Sequence, residues 1–279
     1  MRKPDLGPHL TVQRHLGGQS SGWPRRVNRA TNPRKGLWPR QHSPVKPDRF
    51  GVGTYRSTRR STLSRCAWTR VFTCGHNSSH TAGANSYLLR RRGGNLMVDT
   101  PRWSESLAAR YETLGVVTDV LLTHRDHAAH GRRYADRFRA RLWIHEGDLD
   151  SAPDADQIIR GTDPVEIVDG VMAHPFPGHT EGSVLCMVDD RYCFSGDSLY
   201  WSRTTGDIEI AETVTWYSVE VLAESLARSA DRLRFEWLLP GHGDRRQLPA
   251  DEMALRMRGL AVRVKALRPQ PIDFGDIRW

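Results

Sequence analysis

The sequence predicts an α+β fold in which two β-sheets pack face to face with helices outside. Three observations carry this. From about residue 68 onward, short apolar or alternating runs recur between Gly, Asn, Ser and Pro punctuation. These runs fall into two groups along the chain. Each group is accompanied by segments whose apolar residues repeat at helical spacing, so each sheet has helices to cover one face while its other face needs a second sheet.

Taken in order, TRVFTC (69–74), NSYLLRR (85–91) and NLMVDT (95–100) read as three short strands. SESLAARYETLG (104–115) reads as a helix, with Ser104 at its start, Leu107, Ala108, Tyr111 and Leu114 as the apolar stripe, and Gly115 as the stop. VVTDVLL (116–122) is a strand buried on both faces, HGRRYADRFRA (130–140) an amphipathic helix, and RLWIHE (141–146) the strand after it. A loop rich in Asp, Ala and Pro leads to PVEIVD, VMAHPF, SVLCMV and RYCFSG, four closely spaced strands. A helix over about 217–233, the strand FEWLLP (235–240) and a helix over about 251–268 complete the chain.

Charge separates the first part of the chain from the rest. Residues 1–70 hold 16 of the 41 Lys and Arg but 2 of the 32 Asp and Glu, about +14, which leaves 25 against 30, or about −5, for the remainder. The formal charge of +9 therefore belongs to the N-terminal segment, and nucleic acid is not expected as a partner except through that arm. Residues 1–65 show neither helical nor strand period and predict a disordered basic segment, in part sequence lying upstream of the true start; residues 66–279 form the folded domain. A nucleic-acid or membrane-surface tail and an organellar transit peptide stay open for the arm. No apolar export signal and no run of 18 apolar residues occurs, so a cytoplasmic protein without a membrane span is expected. Cys66, Cys74, Cys186 and Cys193 lack metal-binding spacing. Cys186 and Cys193 are expected opposite each other on a hairpin, as small buried side chains in preference to a disulfide.

The chemistry lies at strand ends. In VLLTHRDHAAHG (Val120–Gly131), His124, Asp126 and His127 follow directly on an apolar strand, and Asp126 is also a candidate helix cap. FPGHTEGS places His179, FSGDSLYW places Asp197 and LLPGHGDRR places His242, each after an apolar strand and a glycine turn. Any one of these reads equally well as a surface side chain, but four strand ends delivering imidazoles and carboxylates describe a ligand set for a divalent ion such as zinc.

Residues 69–245 resemble the metallo-β-lactamase superfamily, whose strand-end motif His-x-His-x-Asp-His is followed by Gly-His, Gly-Asp and Gly-His. The resemblance implies a four-layer αβ/βα sandwich with a metal site at the sheet edges, usually holding two zinc ions. It implies His124, Asp126, His127, His179, Asp197 and His242 as metal ligands, with Asp126 also catalytic. One position departs from the motif: the residue four before Asp126 is Leu122, where the family has histidine. His124 and His179 are then short of a third histidine, with His130 or water as replacement or the first site empty, while Asp126, His127 and His242 make a complete second site bridged by Asp197.

The expected activity is metal-dependent hydrolysis of an ester, thioester, lactone or phosphodiester, a bound zinc lowering the pKa of its water to give the nucleophile. Thr123, Thr180 and Asp99 are candidates to orient the imidazoles. Trp103, Tyr200, Trp201, Trp216 and Tyr217 are candidates for a cleft wall, and Arg203, Arg245 and Arg246 for an anion contact. A mononuclear iron oxidoreductase using His124, His179 and Asp197, and a non-catalytic protein with an incomplete site, are the alternatives. The partner expected is a small-molecule substrate; oligomeric state is left open.

Overall fold

In the computed structural model residues 62–65, 71–75 and 84–267 are described. The first sheet has seven strands in sequence order: β1 (Thr62–Arg65), β2 (Val71–Gly75), β3 (Asn85–Leu89), β4 (Asn95–Val98), β5 (Val117–Leu121), β6 (Arg141–His145) and β7 (Gln157–Ile159). The chain runs antiparallel through β1–β4 and parallel from β4 to β7. Parallel neighbours need long crossovers, and α1 (Glu105–Glu112) and α2 (Gly131–Phe138) supply them.

The second sheet takes β8 (Val165–Val168), β9 (Val171–Pro175), β10 (Val184–Val188) and β11 (Tyr192–Gly196) as an antiparallel run. A separate ribbon, β12 (Tyr200–Ser202) with β13 (Asp207–Glu209), and α3 (Val219–Ser229) come before β14 (Trp237–Pro240), which lies parallel to β11. The two-residue β15 (Arg246–Gln247) forms the edge and α4 (Ala250–Ala266) follows.

Three apolar layers hold these pieces together. Leu107, Tyr111, Tyr134, Val120 and Leu142 join α1 and α2 to the first sheet. Val98, Leu121, Cys186, Phe194 and Leu239 fill the space between the sheets. Leu222, Leu226, Met253, Met257 and Cys193 join α3 and α4 to the second sheet. The layering is αβ/βα, and each buried Leu or Phe contributes about 1.5–3 kcal/mol. Because side chains alternate along β5, Leu121 enters the central layer while Val120 and Leu122 face the helices.

The structure departs from the sequence-based reading at several places. Strand β1 lies inside the segment expected to be disordered, so the sheet begins at Thr62 rather than after residue 65; the rest of that arm, and Cys66, lie outside the described residues. Cys186 pairs with Phe194 and Cys193 with Met187, so the two thiols sit one register apart on opposite faces of the sheet and both are free. A shift of one residue sends a side chain to the other face, which separates the pair expected to face each other. Asp126 caps no long helix: it sits in a 3-10 turn, Arg125–His127, while His130 holds the capping position of α2. Ser104 does precede α1, but its hydroxyl lies 3.0 Å from Ser106 rather than capping the backbone.

Candidate metal centre

Every predicted ligand lies just past the carboxyl end of a strand, where backbone amides and carbonyls no longer pair and side chains turn inward over the sheet edge. The first sheet supplies His124, Asp126 and His127 after β5; the second supplies His179 after β9, Asp197 after β11 and His242 after β14. The two edges are tied directly, Val184 N–H donating to Thr123 O at 2.9 Å and Asn85 N–H to Gly241 O at 2.6 Å. Tyr87 Oη donates to Pro240 O at 2.7 Å, which fixes the turn carrying His242.

The structure brings all six side chains together. His124 Nε2 lies 3.5 Å from Asp197 Oδ2 and 3.9 Å from Asp126 Oδ2, and His179 Nε2 lies 3.4 Å from Asp126 Oδ2 and 3.9 Å from Asp197 Oδ2. His242 Nε2 is 3.4 Å from Asp197 Oδ2, and His127 Nε2 is 4.0 Å from Asp197 Oδ1. Asp197 is thus the hub of the cluster. His130 belongs to neither of the two groups of close ligand atoms, His124/Asp126/His179 and His124/His127/Asp197. Leu122 is fully buried and its methyl groups border Gly131 and Leu142, on the helix side of the sheet and away from the ligands.

Supporting groups fix the orientation of these rings. Thr123 Oγ1 lies 2.8 Å from Asp99 Oδ2 and 2.9 Å from His124 Nδ1. The hydroxyl proton goes to the carboxylate, so Thr123 accepts from Nδ1–H and leaves the His124 Nε2 lone pair facing the cluster. Asp99 Oδ2 also stands 3.0 Å from His127 Nδ1, turning Nε2 of that ring inward. Asp99 holds this post with a left-handed backbone, φ 56°, a conformation tolerated best by Asn, Asp and Gly. Glycine is required beside the hub as well: a Cβ on Gly196 would stand 2.5 Å from Thr123 Oγ1, and one on Gly241 would press on Asp197 Oδ1 and lie 2.8 Å from His127 Cε1.

One positioning group went unseen in the sequence. Asp148, fully buried in the 3-10 segment Glu146–Ser151, accepts from Arg125 N at 2.9 Å, Thr180 Oγ1 at 2.6 Å and Gly182 N at 3.2 Å. It thereby ties the His124–His127 turn to the His179 turn. No local pattern marks it, because its partners lie 23 to 34 residues away.

Electrostatics follow from the crowding. Burial alone would raise the Asp197 pKa, but His124, His127 and His242 outweigh it and hold the carboxyl well below its ordinary range. His179, then His124, lower that of Asp126 against its partial burial. Burial opposes a proton on His127, yet the Asp99 carboxylate raises its pKa to about 9.

A cation fits this arrangement. His124 Nε2, His179 Nε2 and Asp197 Oδ1 are buried and lack a hydrogen-bond partner, an expensive state for polar atoms unless an ion satisfies them. Nitrogen and oxygen donors suit zinc or iron.

Comparison with known proteins agrees. The family model described as Metallo-beta-lactamase superfamily matches residues 81–242. The chain belongs to this superfamily. Solved structures with the same fold include DIM-1 metallo-beta-lactamase (18% identity, 73% of this chain and 97% of that one, TM-score 0.58) and VMB-1 (16%, 75% and 100%, 0.60). FIM-1 from Pseudomonas aeruginosa, in its mono-zinc form, is similar at 13% identity, covering 74% and 97%, with TM-score 0.55. No curated protein sequence matches the chain. Metallo-β-lactamase folds typically bind metal ions, and the family is largely hydrolytic. Among the described residues no helix is long and apolar enough to cross a membrane.

The aromatic candidates separate into two kinds. Trp201 is buried beneath Arg246 and Arg256, and Trp103 packs on Tyr134 under Arg133. Trp216 and Tyr217, by contrast, are 67% and 49% exposed, and both of their N–H groups donate to the carbonyl of His179. Of the arginine candidates, Arg203 is paired with Asp244 and Arg246 stacks on Trp201.

Proposed function

We propose that the protein is a zinc-dependent hydrolase acting on an ester, thioester or lactone that carries an apolar group, with phosphodiesters as the remaining substrate class. The observation behind this is the set of buried, unpartnered ligand atoms on His124, His179 and Asp197, beside a half-exposed Asp126. A bound divalent ion supplies Lewis acidity towards a carbonyl or phosphoryl oxygen and makes water acidic near neutrality. The chain's own residues do the rest. Asp126 is ionised and 48% exposed, so the oxygen not turned to His179 is free to accept a proton from an approaching water and to orient it. Thr123 and Asp99 keep the lone pairs of His124 and His127 aimed inward through each cycle.

Trp216 and Tyr217 support the apolar substrate group. Val214, Trp216 and Tyr217 are three of the six exposed large hydrophobic residues among the described ones, gathered in four positions next to a ligand. A flat apolar wall there holds an acyl or ring substituent within reach of the site. The engaged state of Arg203 and Arg246 gives an anionic tail less to bind.

The test is turnover of nitrophenyl esters, thioesters, lactones and bis-nitrophenyl phosphate by zinc-loaded protein, with His179→Ala as control. Chelator-sensitive turnover lost in His179→Ala supports the reading; absence of turnover on every class overturns it. The two-histidine, one-carboxylate set of His124, His179 and Asp197 also matches non-haem iron sites, so iron-loaded protein that consumes oxygen with a thiol or persulfide is the second reading.

A further inference from the structure

At the end of the first sheet opposite the metal centre lies a second, positively charged cavity. Strands β4 and β5 begin there, at Asn95 and Val117, and run about 13 Å before delivering Asp99 and the His124 turn at the other end. The cavity measures about 400 Å³, within the range of small-molecule sites. Three consecutive arginines, Arg90, Arg91 and Arg92, line it together with Leu114, Val116 and the Gly93–Gly94 turn. No aspartate or glutamate lines it, and among the described residues no carboxylate is paired with any of the three guanidiniums. Its walls are fixed by one buried side chain. Asn95, 3% exposed, accepts from the Arg91 N–H at 3.2 Å and donates to Leu114 O at 3.2 Å, which ties the arginine turn to the turn between α1 and β5. The Arg91 guanidinium donates to the carbonyl of Asp169. Gly94 has φ 123°, and a Cβ on it would collide with Thr118, so the close approach of the two turns requires glycine.

We infer that this cavity binds a small organic phosphate carrying two or more negative charges, of nucleoside-diphosphate size, at a site separate from the metal centre. Guanidinium groups present paired N–H donors that match phosphate oxygens, and cations gathered along a concave wall add their fields. Arg90 and Arg92 are exposed and supply two such forks beside the anchored Arg91. Val116, 72% exposed, and Leu114 offer apolar surface to the organic part of the ligand. The volume exceeds what one inorganic phosphate fills, and a bounded cavity is not the continuous groove that a nucleic-acid strand follows. The inference depends neither on bound metal nor on hydrolysis.

The experiment is calorimetric titration of the full chain with ADP, pyrophosphate and adenosine, in a chelator so that no phosphate binds through metal. A salt concentration of about 0.15 M screens attraction from the basic N-terminal arm beyond about 8 Å. Wild type is compared with Arg90→Gln/Arg92→Gln and with Arg160→Gln/Arg258→Gln, which removes the same charge from arginines outside the cavity. Arg90 and Arg92 are exposed, so their replacement leaves the fold intact, and far-UV circular dichroism checks this. The expected result is one ADP per chain, binding of pyrophosphate, and none of adenosine. Affinity for ADP falls at least about 10-fold in Arg90→Gln/Arg92→Gln and is unchanged in Arg160→Gln/Arg258→Gln. Absence of ADP binding in wild type overturns the inference, as does an equal loss in both double variants, which would reflect net charge alone. ADP binding that survives in Arg90→Gln/Arg92→Gln overturns it too. A single-stranded oligonucleotide that binds through Arg90 and Arg92 where ADP and pyrophosphate do not would replace the small ligand with nucleic acid and overturn the proposal in that way.

Discussion

Asp148→Ala tests whether the metal centre is held from behind by one carboxylate. The carboxylate is fully buried and accepts three hydrogen bonds. Its removal has unequal consequences. Thr180 Oγ1 still has Ser183 Oγ at 2.8 Å, and the Arg125 amide is close enough to the surface to find water, but Gly182 N–H is left buried and unpaired. One orphaned donor costs about 1–3 kcal/mol, and loss of the charge-assisted bonds to Thr180 and Arg125 about 1.5 kcal/mol each, partly recovered by their new partners. The sum is about 3–5 kcal/mol. Urea unfolding of metal-free protein measures it, and zinc competition against a chelator measures the consequence for the site, where a 10–100-fold loss of affinity is expected. Asp148→Asn keeps one acceptor oxygen for Thr180 and Arg125 and should retain most of the affinity. A stability loss below about 1 kcal/mol would refute the bonding described. A large stability loss with wild-type zinc affinity would show that Asp148 supports the fold and not the ligand turns.

Three further expectations can be checked independently. Because the His127 pKa is raised from 6.5 to about 9, its contribution to metal-free stability is complete below pH 6.5 and is lost as pH rises through 9; melting curves from pH 6 to 10 should show this decline in wild type and not in His127→Gln. Gly241→Ala, whose Cβ meets Asp197 and His127, should lower bound metal with the secondary structure kept, as read by elemental analysis and circular dichroism. Burial raises the pKa of Cys186 and Cys193, so in a Cys66→Ser/Cys74→Ser background a thiol reagent should label neither until the protein is unfolded.

Much of this was legible in the sequence for a physical reason: candidate ligands at strand ends follow directly on apolar runs, and both the runs and the glycine turns are local signals. That is how His179, Asp197 and His242 could be placed without coordinates. What was hidden depends on contacts between distant segments. β7 lay in a stretch read as loop, since three residues carry too little periodicity. Asp148 looked like one more loop acid because its three partners belong to two other turns. The motif order grouped Asp126 with His127, its neighbour in the chain. The fold adds that the tight turn after His124 brings the carboxylate within 3.4 Å of His179 Nε2 on the other sheet.

The candidate ligands are divided evenly between the two sheets, three from each, so a metal held by them would act as a rivet through the central layer. Each half of the sandwich has its own helix-facing apolar layer, so what the halves share is the interior between the sheets and the candidate metal centre at its rim. Bound metal adds RT ln(1 + [M]/Kd) to the cohesion of that seam, about 2.7 kcal/mol at a hundredfold excess over Kd. With metal bound as proposed, the chain's resistance to unfolding and proteolysis would follow the free metal concentration around it.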